Sequence, residues 1–240
     1  MRPLGVRALG LLAALTILGC SNTVVGSAQR HGAQEPVPLQ QVLPTADEVS
    51  AAVGNPLDAV GTVTTGSIDV LPNGIRDPEG AAPLDCLGAV TPLMRVVYEG
   101  GGVRAAAWRD FARLGAGLTV SSAEAGAVRL GSESEAARMF ARFTTQWQSC
   151  EGTTVTLGTG GGGGLELTVS AVKVDGPVLS AVIFSDAGDG SVYPTEHAVG
   201  VAADCIVDVD VAITDPVPTQ RIPAGRAADL ARVMLAKIAG

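Results

Sequence analysis

Ser132-Glu133-Ser134-Glu135-Ala136-Ala137-Arg138-Met139-Phe140-Ala141-Arg142-Phe143-Thr144-Thr145-Gln146-Trp147-Gln148-Ser149-Cys150 is the stretch that sets the architecture. Ser132 with Glu135 three places on has the pattern of a capping box. Behind it Ala136, Phe140, Phe143 and Trp147 recur at i, i+4, i+7 and i+11, with Arg138, Arg142 and Gln146 on the other side. The spacing predicts one long helix with an apolar stripe that must rest on another layer, and the flanking sequence supplies that layer. After Cys150, strand patterns run over Thr153–Leu157, Leu165–Val174, Val178–Ser185, Ala198–Val201 and Cys205–Ile213. Gly158–Gly164, Asp175-Gly176-Pro177 and Asp186–Gly190 are hairpin-length links between them. Before the helix, Val103–Leu114 and Leu118–Leu130 read as a hairpin about Gly115–Gly117.

Helices are also expected at both ends. Thr45-Ala46-Asp47-Glu48 is another capping box and opens a short helix over 46–53, stopped by Gly54-Asn55-Pro56. Val60–Leu71 is strand-like, and Ala81–Tyr98 reads as one or two short helices. From Pro223 to Ala239 a last helix places Ala227, Leu230, Ala231, Met234 and Ile238 on one face. Short links between strands and helices at start, middle and end imply an α+β fold. In it, an antiparallel β-sheet carries helices packed on one face.

The N-terminus carries a targeting signal. Arg2 and Arg7 precede an apolar run from Ala8 to Leu18, and Ile17-Leu18-Gly19-Cys20 is a lipoprotein cleavage box. That run is well short of the ~20 apolar residues of a retained membrane helix. The reading is export, cleavage before Cys20 and a diacylglyceryl group on its sulfur. Two or three acyl chains, such as palmitate, anchor stably, because each buried methylene adds about 0.8 kcal/mol. Residues 1–19 are then a signal peptide and 20–42 a lipidated flexible tether. The folded domain is 43–240. The protein is expected on the extracytoplasmic face of the cell membrane.

The chain holds 16 basic and 24 acidic residues. Losing Arg2 and Arg7 leaves 14 bases against the same 24 acids. An acidic domain has no electrostatic footprint for nucleic acid. Lys173 and Lys237 are the only lysines, which with the Ala, Gly and Val excess suggests a GC-rich genome.

Three cysteines follow Cys20: Cys86, Cys150 and Cys205. Outside the cytoplasm they can oxidise, and an odd number leaves one over. Cys205 lies in the alternating apolar run Cys205-Ile206-Val207-Asp208-Val209, where a free thiol serves as a small hydrophobe. The reading therefore favours a Cys86–Cys150 bridge.

No catalytic constellation stands out. His31 is in the tether and His197 is alone beside a strand. The glycine run 158–164 lacks the Lys-Ser/Thr of a phosphate loop. The cysteines are not spaced for a metal, and Asp186, Asp189 and Asp215 read as turn residues. Asp85 and Asp110 have the residue types of a glycan-hydrolysing pair, but nothing in the spacing joins them. The chain reads as non-enzymatic, without cofactor or metal. Binding is the better expectation. Tyr98, Arg104, Trp108 and Arg109 are the candidates, an aromatic-and-arginine group in an aromatic-poor chain.

An ordered set of motifs resembles one known family. They are Leu43-Pro44-Thr45 with Glu48-Val49; Asp85-Cys86-Leu87-Gly88-Ala89 followed by Tyr98; the Ala136–Phe140 helix leading to Trp147-Gln148-Ser149-Cys150; and His197-Ala198 before Val207-Asp208-Val209. The chain is similar over residues 43 to the C-terminus to the PknH-like extracellular sensor domain family of mycobacteria. That resemblance implies an α+β domain with an antiparallel sheet, a central cleft and two disulfides. The first disulfide matches Cys86 and Cys150. The second falls where Thr195 and Ala212 stand and is expected to be missing. The resemblance covers the sensor domain, and the kinase that such a domain can be joined to is not expected in this chain. Two functions follow as expectations. One is a membrane-anchored lipoprotein whose sensor-like domain binds a small molecule, lipid or cell-wall fragment. The other is an envelope module that binds a protein partner and has no small-molecule site.

Overall fold

The structure is a computed structural model and describes residues 36–158, 164–186, 192–214 and 225–239. Two short helices come first, α1 (Leu39–Val42) and α2 (Ala46–Val53). In α2 the capping box is complete. The Thr45 hydroxyl accepts from the Glu48 N–H at 3.2 Å, and the Glu48 carboxylate accepts from the Thr45 N–H at 2.7 Å. Leu39 and Val42 of α1 are buried, so the packed core includes residues a few places before the expected Leu43. Then follow β1 (Asp58–Gly66), a 3-10 turn at Ile68–Val70, β2 (Ala81–Ala82), α3 (Leu87–Val90) and α4 (Arg95–Tyr98). The β3 (Ala105–Ala112) and β4 (Val120–Arg129) hairpin leads to α5 (Glu133–Cys150). Strands β5 (Thr154–Gly158), β6 (Gly164–Asp175), β7 (Val178–Asp186), β8 (Val192–Ala202) and β9 (Cys205–Ile213) precede α6 (Arg226–Ala239).

The strands form one antiparallel sheet in the order β1-β3-β4-β9-β8-β7-β6-β5-β2. Strand β8 is longer than its apolar segment predicts. It reaches back through Pro194, which pairs with Phe184 of β7 but lies beyond the start of pairing with β9 at Thr195. There its missing N–H interrupts no ladder bond to β9.

The α+β class is as the sequence implied. The helices, expected on one face, divide between two. Strands at the centre are apolar at both parities. On β9, Val207, Val209 and Val211 meet α6 with α1 and α2, while Ile206 joins the core under α3 and α5. A sheet with two apolar faces needs a cover on each. Helix α5 buries Ala136, Met139, Phe143, Trp147 and Cys150. Ser132 caps it through the Glu135 N–H at 3.2 Å, but no return bond from the Glu135 side chain forms, so only half of the expected box is built.

The end of the sheet where the described chain comes in is fixed by Arg129. Its guanidinium donates to the Val37 carbonyl at 2.6 Å and pairs with Asp204 in the short β8–β9 turn. The β3–β4 hairpin tip lies at the other end, with Leu114 96% exposed. Among the described residues no helix is long and apolar enough to cross a membrane.

Candidate functional site

Register places four titratable side chains in a row on the α5 face. Asp110 of β3 stands opposite Glu124 of β4, Glu124 opposite Asp210 of β9, and Asp210 opposite His197 of β8. One step along, Trp108, Gly126, Asp208 and Val199 form the next row. Gly126 is required there. A Cβ on it would come within 2.5 Å of Leu93 Cδ1, so only glycine lets the α3–α4 connection lie flat on β4.

Asp208 is the hub of this region and is 3% exposed. Its Oδ2 accepts the Leu93 N–H at 2.9 Å and the Tyr98 hydroxyl at 2.7 Å. Its Oδ1 lies 2.8 Å from His197 Nε2, and His197 Nδ1 lies 3.0 Å from the Ala89 carbonyl. A carbonyl and a carboxylate can only accept, so both ring nitrogens donate and the imidazole is charged. Burial opposes that charge. The bond and negative charge of Asp208, with the Ala89 carbonyl, outweigh burial and hold the His197 pKa above its ordinary value. The Trp147 ring, 4.5 Å from the His197 ring, adds an aromatic face to the cation. Burial, and then Asp208, push the Tyr98 hydroxyl well up, so it stays a donor.

Glu124 and Asp210 have a different environment. Burial first, then the charges of Asp210, Asp110 and Asp208, push Glu124 up to about 8. Burial raises Asp210 to about 6, although His197 and the Glu124 N–H pull the other way. Burial also raises Asp110. Of the three, Glu124 is the one pushed above neutral pH, because the carboxylates of the row cannot all ionise side by side. Among the described residues no group of three or more His, Cys, Asp and Glu side chains is arranged to hold a metal ion.

On the opposite face, the N-terminal part of α6 stands over a cavity of about 430 Å³. Ser180 and Val182 of β7 form part of its floor, alternating with Leu179, Ala181 and Ile183, which face α5. Ala171 of β6 lies at a register shift between Ser170 and Lys173 and has φ +51°. Such a bulge re-aims the strand, and a non-glycine residue held there carries strain of the sort found at binding sites. Glu196 of β8 closes the inner end. It is 2% exposed, accepts the Ala227 N–H at 3.1 Å and pairs with Arg226 at 3.3 Å, so it neutralises the positive start of α6. Arg232 is held at the rim by Asp175 at 2.8 Å and Asp229 at 2.9 Å. The Lys173 amine, also at the rim, has no partner among the described residues. Size, apolar floor and few polar anchors match a small-molecule pocket.

The four candidates read from the sequence do not converge. Tyr98 is fully buried on Asp208. Trp108 faces α5 and donates from Nε1 to the Val70 carbonyl at 2.9 Å. Arg109, the next residue, points to the other face and reaches the Gly61 carbonyl at 3.3 Å. Arg104 is exposed, its backbone N–H bonded to the Arg129 carbonyl. None of the four lines the cavity under α6. Asp110 stands against Glu124, while Asp85 sits in the 3-10 turn Leu84–Cys86. Cys86 and Cys150 form a disulfide, and Cys205 is free and buried. Burial, then Asp204, pushes the Cys205 thiol up to about 12, so it is inert. Thr195 and Ala212 are register partners across β8 and β9, the geometry a second bridge there would need. Cys20, His31, Asp189 and Asp215 lie outside the described residues. Glu124, Asp210 and Lys173 escaped the sequence reading. The signal for the acids was there: Asp208 and Asp210 alternate with Val207, Val209 and Val211 on a strand with apolar partners at both parities.

A single antiparallel sheet between two helical layers, tied by a disulfide and holding a cavity beneath its last helix, defines an α+β domain. The chain belongs to the PknH-like extracellular domain family, whose sequence profile matches residues 35–237. Its fold is similar to the crystal structure of the extracellular domain of PknH from Mycobacterium tuberculosis. The TM-score is 0.71 at 20% identity, covering 85% of this chain and 98% of that one. An X-ray structure of an uncharacterised protein from Mycobacterium smegmatis aligns over 83% of this chain and 94% of its own. Its TM-score is 0.39 at 13% identity, too distant to support an argument. No curated protein matches the chain significantly.

Proposed function

We propose that this is a lipid-anchored extracytoplasmic domain that binds a small molecule, lipid or cell-wall fragment in the cavity under α6. The cavity of about 430 Å³ carries the reading. Its apolar floor suits an apolar body, and the unpartnered Lys173 amine suits an anionic or hydroxyl-bearing head. Family membership supports a place outside the cytoplasm, as does a disulfide, which persists in an oxidising compartment. The lipoprotein box at Cys20 supplies the anchor.

Native mass spectrometry of the full-length protein, extracted from membranes of its own host, tests both parts. The expected spectrum shows acyl mass on the peptide beginning at Cys20 and a bound species of defined mass. Ser180→Trp fills the cavity and should remove that species without removing the acyl mass. An apo spectrum for the wild type, or a bound species that survives in Ser180→Trp, rejects the cavity as the site. An unmodified Cys20 rejects the anchor.

A further inference from the structure

We propose that the row Asp110, Glu124 and Asp210 is a pH-dependent latch, which holds the α3–α4 cover on the sheet most firmly in acid and loosens it progressively as pH rises into alkali. This inference does not rest on the cavity under α6, although His197, the fourth member of the row, is among the residues that line it.

The geometry carries the argument. The three carboxylates occupy directly opposed positions on neighbouring strands, where like charges repel. No lysine or arginine among the described residues pairs with any of them. Glu124 Oε1 is buried without a hydrogen-bond partner. His197, the fourth member, is committed to Asp208 and to Ala89. The other charged or titratable groups around the row are also engaged. From β9 there is Asp208, and from α4 there is Tyr98 on Asp208. From α5 there is Arg142, whose Nη2 is taken by the Val97 carbonyl. The 3-10 turn before β2 gives Asp69, paired with Arg95 of α4 at 3.2 Å. All three residues are half-buried, and by keeping protons the row can sit beside the cover without drawing in water.

The cover rests beside it. Leu93 has φ +56°, packs on Gly126 and donates its N–H to Asp208. Gly126 is two residues along β4 from Glu124, on the same face. When Glu124 ionises, the row draws in water at the edge of the cover, next to the Leu93 bond. The sign agrees with the high Glu124 value. A carboxyl raised to about 8 from 4.5 stabilises the covered state fully below 4.5, and loses that effect as pH climbs through about 8.

Hydrogen exchange of individual amides by NMR, corrected for intrinsic rates, tests the latch at pH 6 and pH 9. In the wild type, protection of the Leu93 amide should fall roughly tenfold or more between those pH values, while amides of β7 and β9 keep theirs. In Glu124→Gln, which cannot ionise, Leu93 protection should stay level. An equal fall in the variant, no fall in the wild type, or a loss spread evenly through β7 and β9 overturns the proposal. If Glu124→Gln does not fold, Asp210→Asn serves instead. It removes a neighbouring charge that raises Glu124, so Glu124 ionises at lower pH and at less cost, and the fall in Leu93 protection between pH 6 and pH 9 should be smaller than in the wild type. An unmoved profile overturns the latch.

Discussion

Asp208→Ala should cost the domain about 4 kcal/mol in urea unfolding at pH 7, a large share of the 5–15 kcal/mol typical of a folded domain. The carboxylate accepts from three buried donors on three separate segments: His197 on β8, Leu93 after α3 and Tyr98 at the end of α4. Truncation leaves an imidazolium, an amide and a hydroxyl in the core without acceptors, and an unsatisfied buried group costs about 1–3 kcal/mol. Asp208→Asn should cost less, because its carbonyl oxygen still accepts. The loss also depends on pH with a definite sign. His197 is raised above its unfolded value of 6.5, so its pairing with Asp208 contributes fully below 6.5 and fades as pH rises through the folded-state value. The penalty of Asp208→Ala is therefore larger at pH 5.5 than at pH 9. An equal penalty at both would mean that His197 is neutral in the folded protein.

Removing the Cys86–Cys150 bridge is the other change with a large effect. The cysteines are 64 residues apart in sequence, and a loop of that size corresponds to about 4 kcal/mol in the chain-entropy account. The double variant Cys86→Ala/Cys150→Ala should show that loss in the denaturation midpoint, and reduction of the wild type should reproduce it. The bridge ties the start of α3 to the end of α5, the two elements that flank His197 from above. Loss of the bridge should therefore also broaden the Trp147 emission, since Trp147 is three residues from Cys150 and packs on His197. A midpoint shift without change in Trp147 would confine the bridge to an effect on the unfolded chain.

Much of this fold was legible in the sequence. The caps at Thr45 and Ser132 mark where α2 and α5 begin, and the Phe143–Trp147 stripe marks the buried face of α5. Glycines 115 and 117 mark the β3–β4 hairpin. The sites were harder to read. Alternation along β9 gives two faces but does not say which is covered. Val207 and Asp208 in succession look like a core residue and a solvent residue, yet both are buried. The period-two rule did hold a warning about the candidate group. Trp108 and Arg109 are neighbours on a strand, so they could not share a face. Lys173 and Glu196 came together only through α6, whose position over β7 and β8 depends on contacts far apart in the chain.

The Arg129 contact with Val37 and Asp204 gives the domain a polarity. One end of the sheet, with its short β8–β9 turn, is pinned to the start of the described chain. The β3–β4 tip around Leu114 stands the length of a strand away from that contact, roughly 30 Å for ten residues. A probe attached at Leu114 would therefore report on the sheet end that the Arg129 contact does not hold.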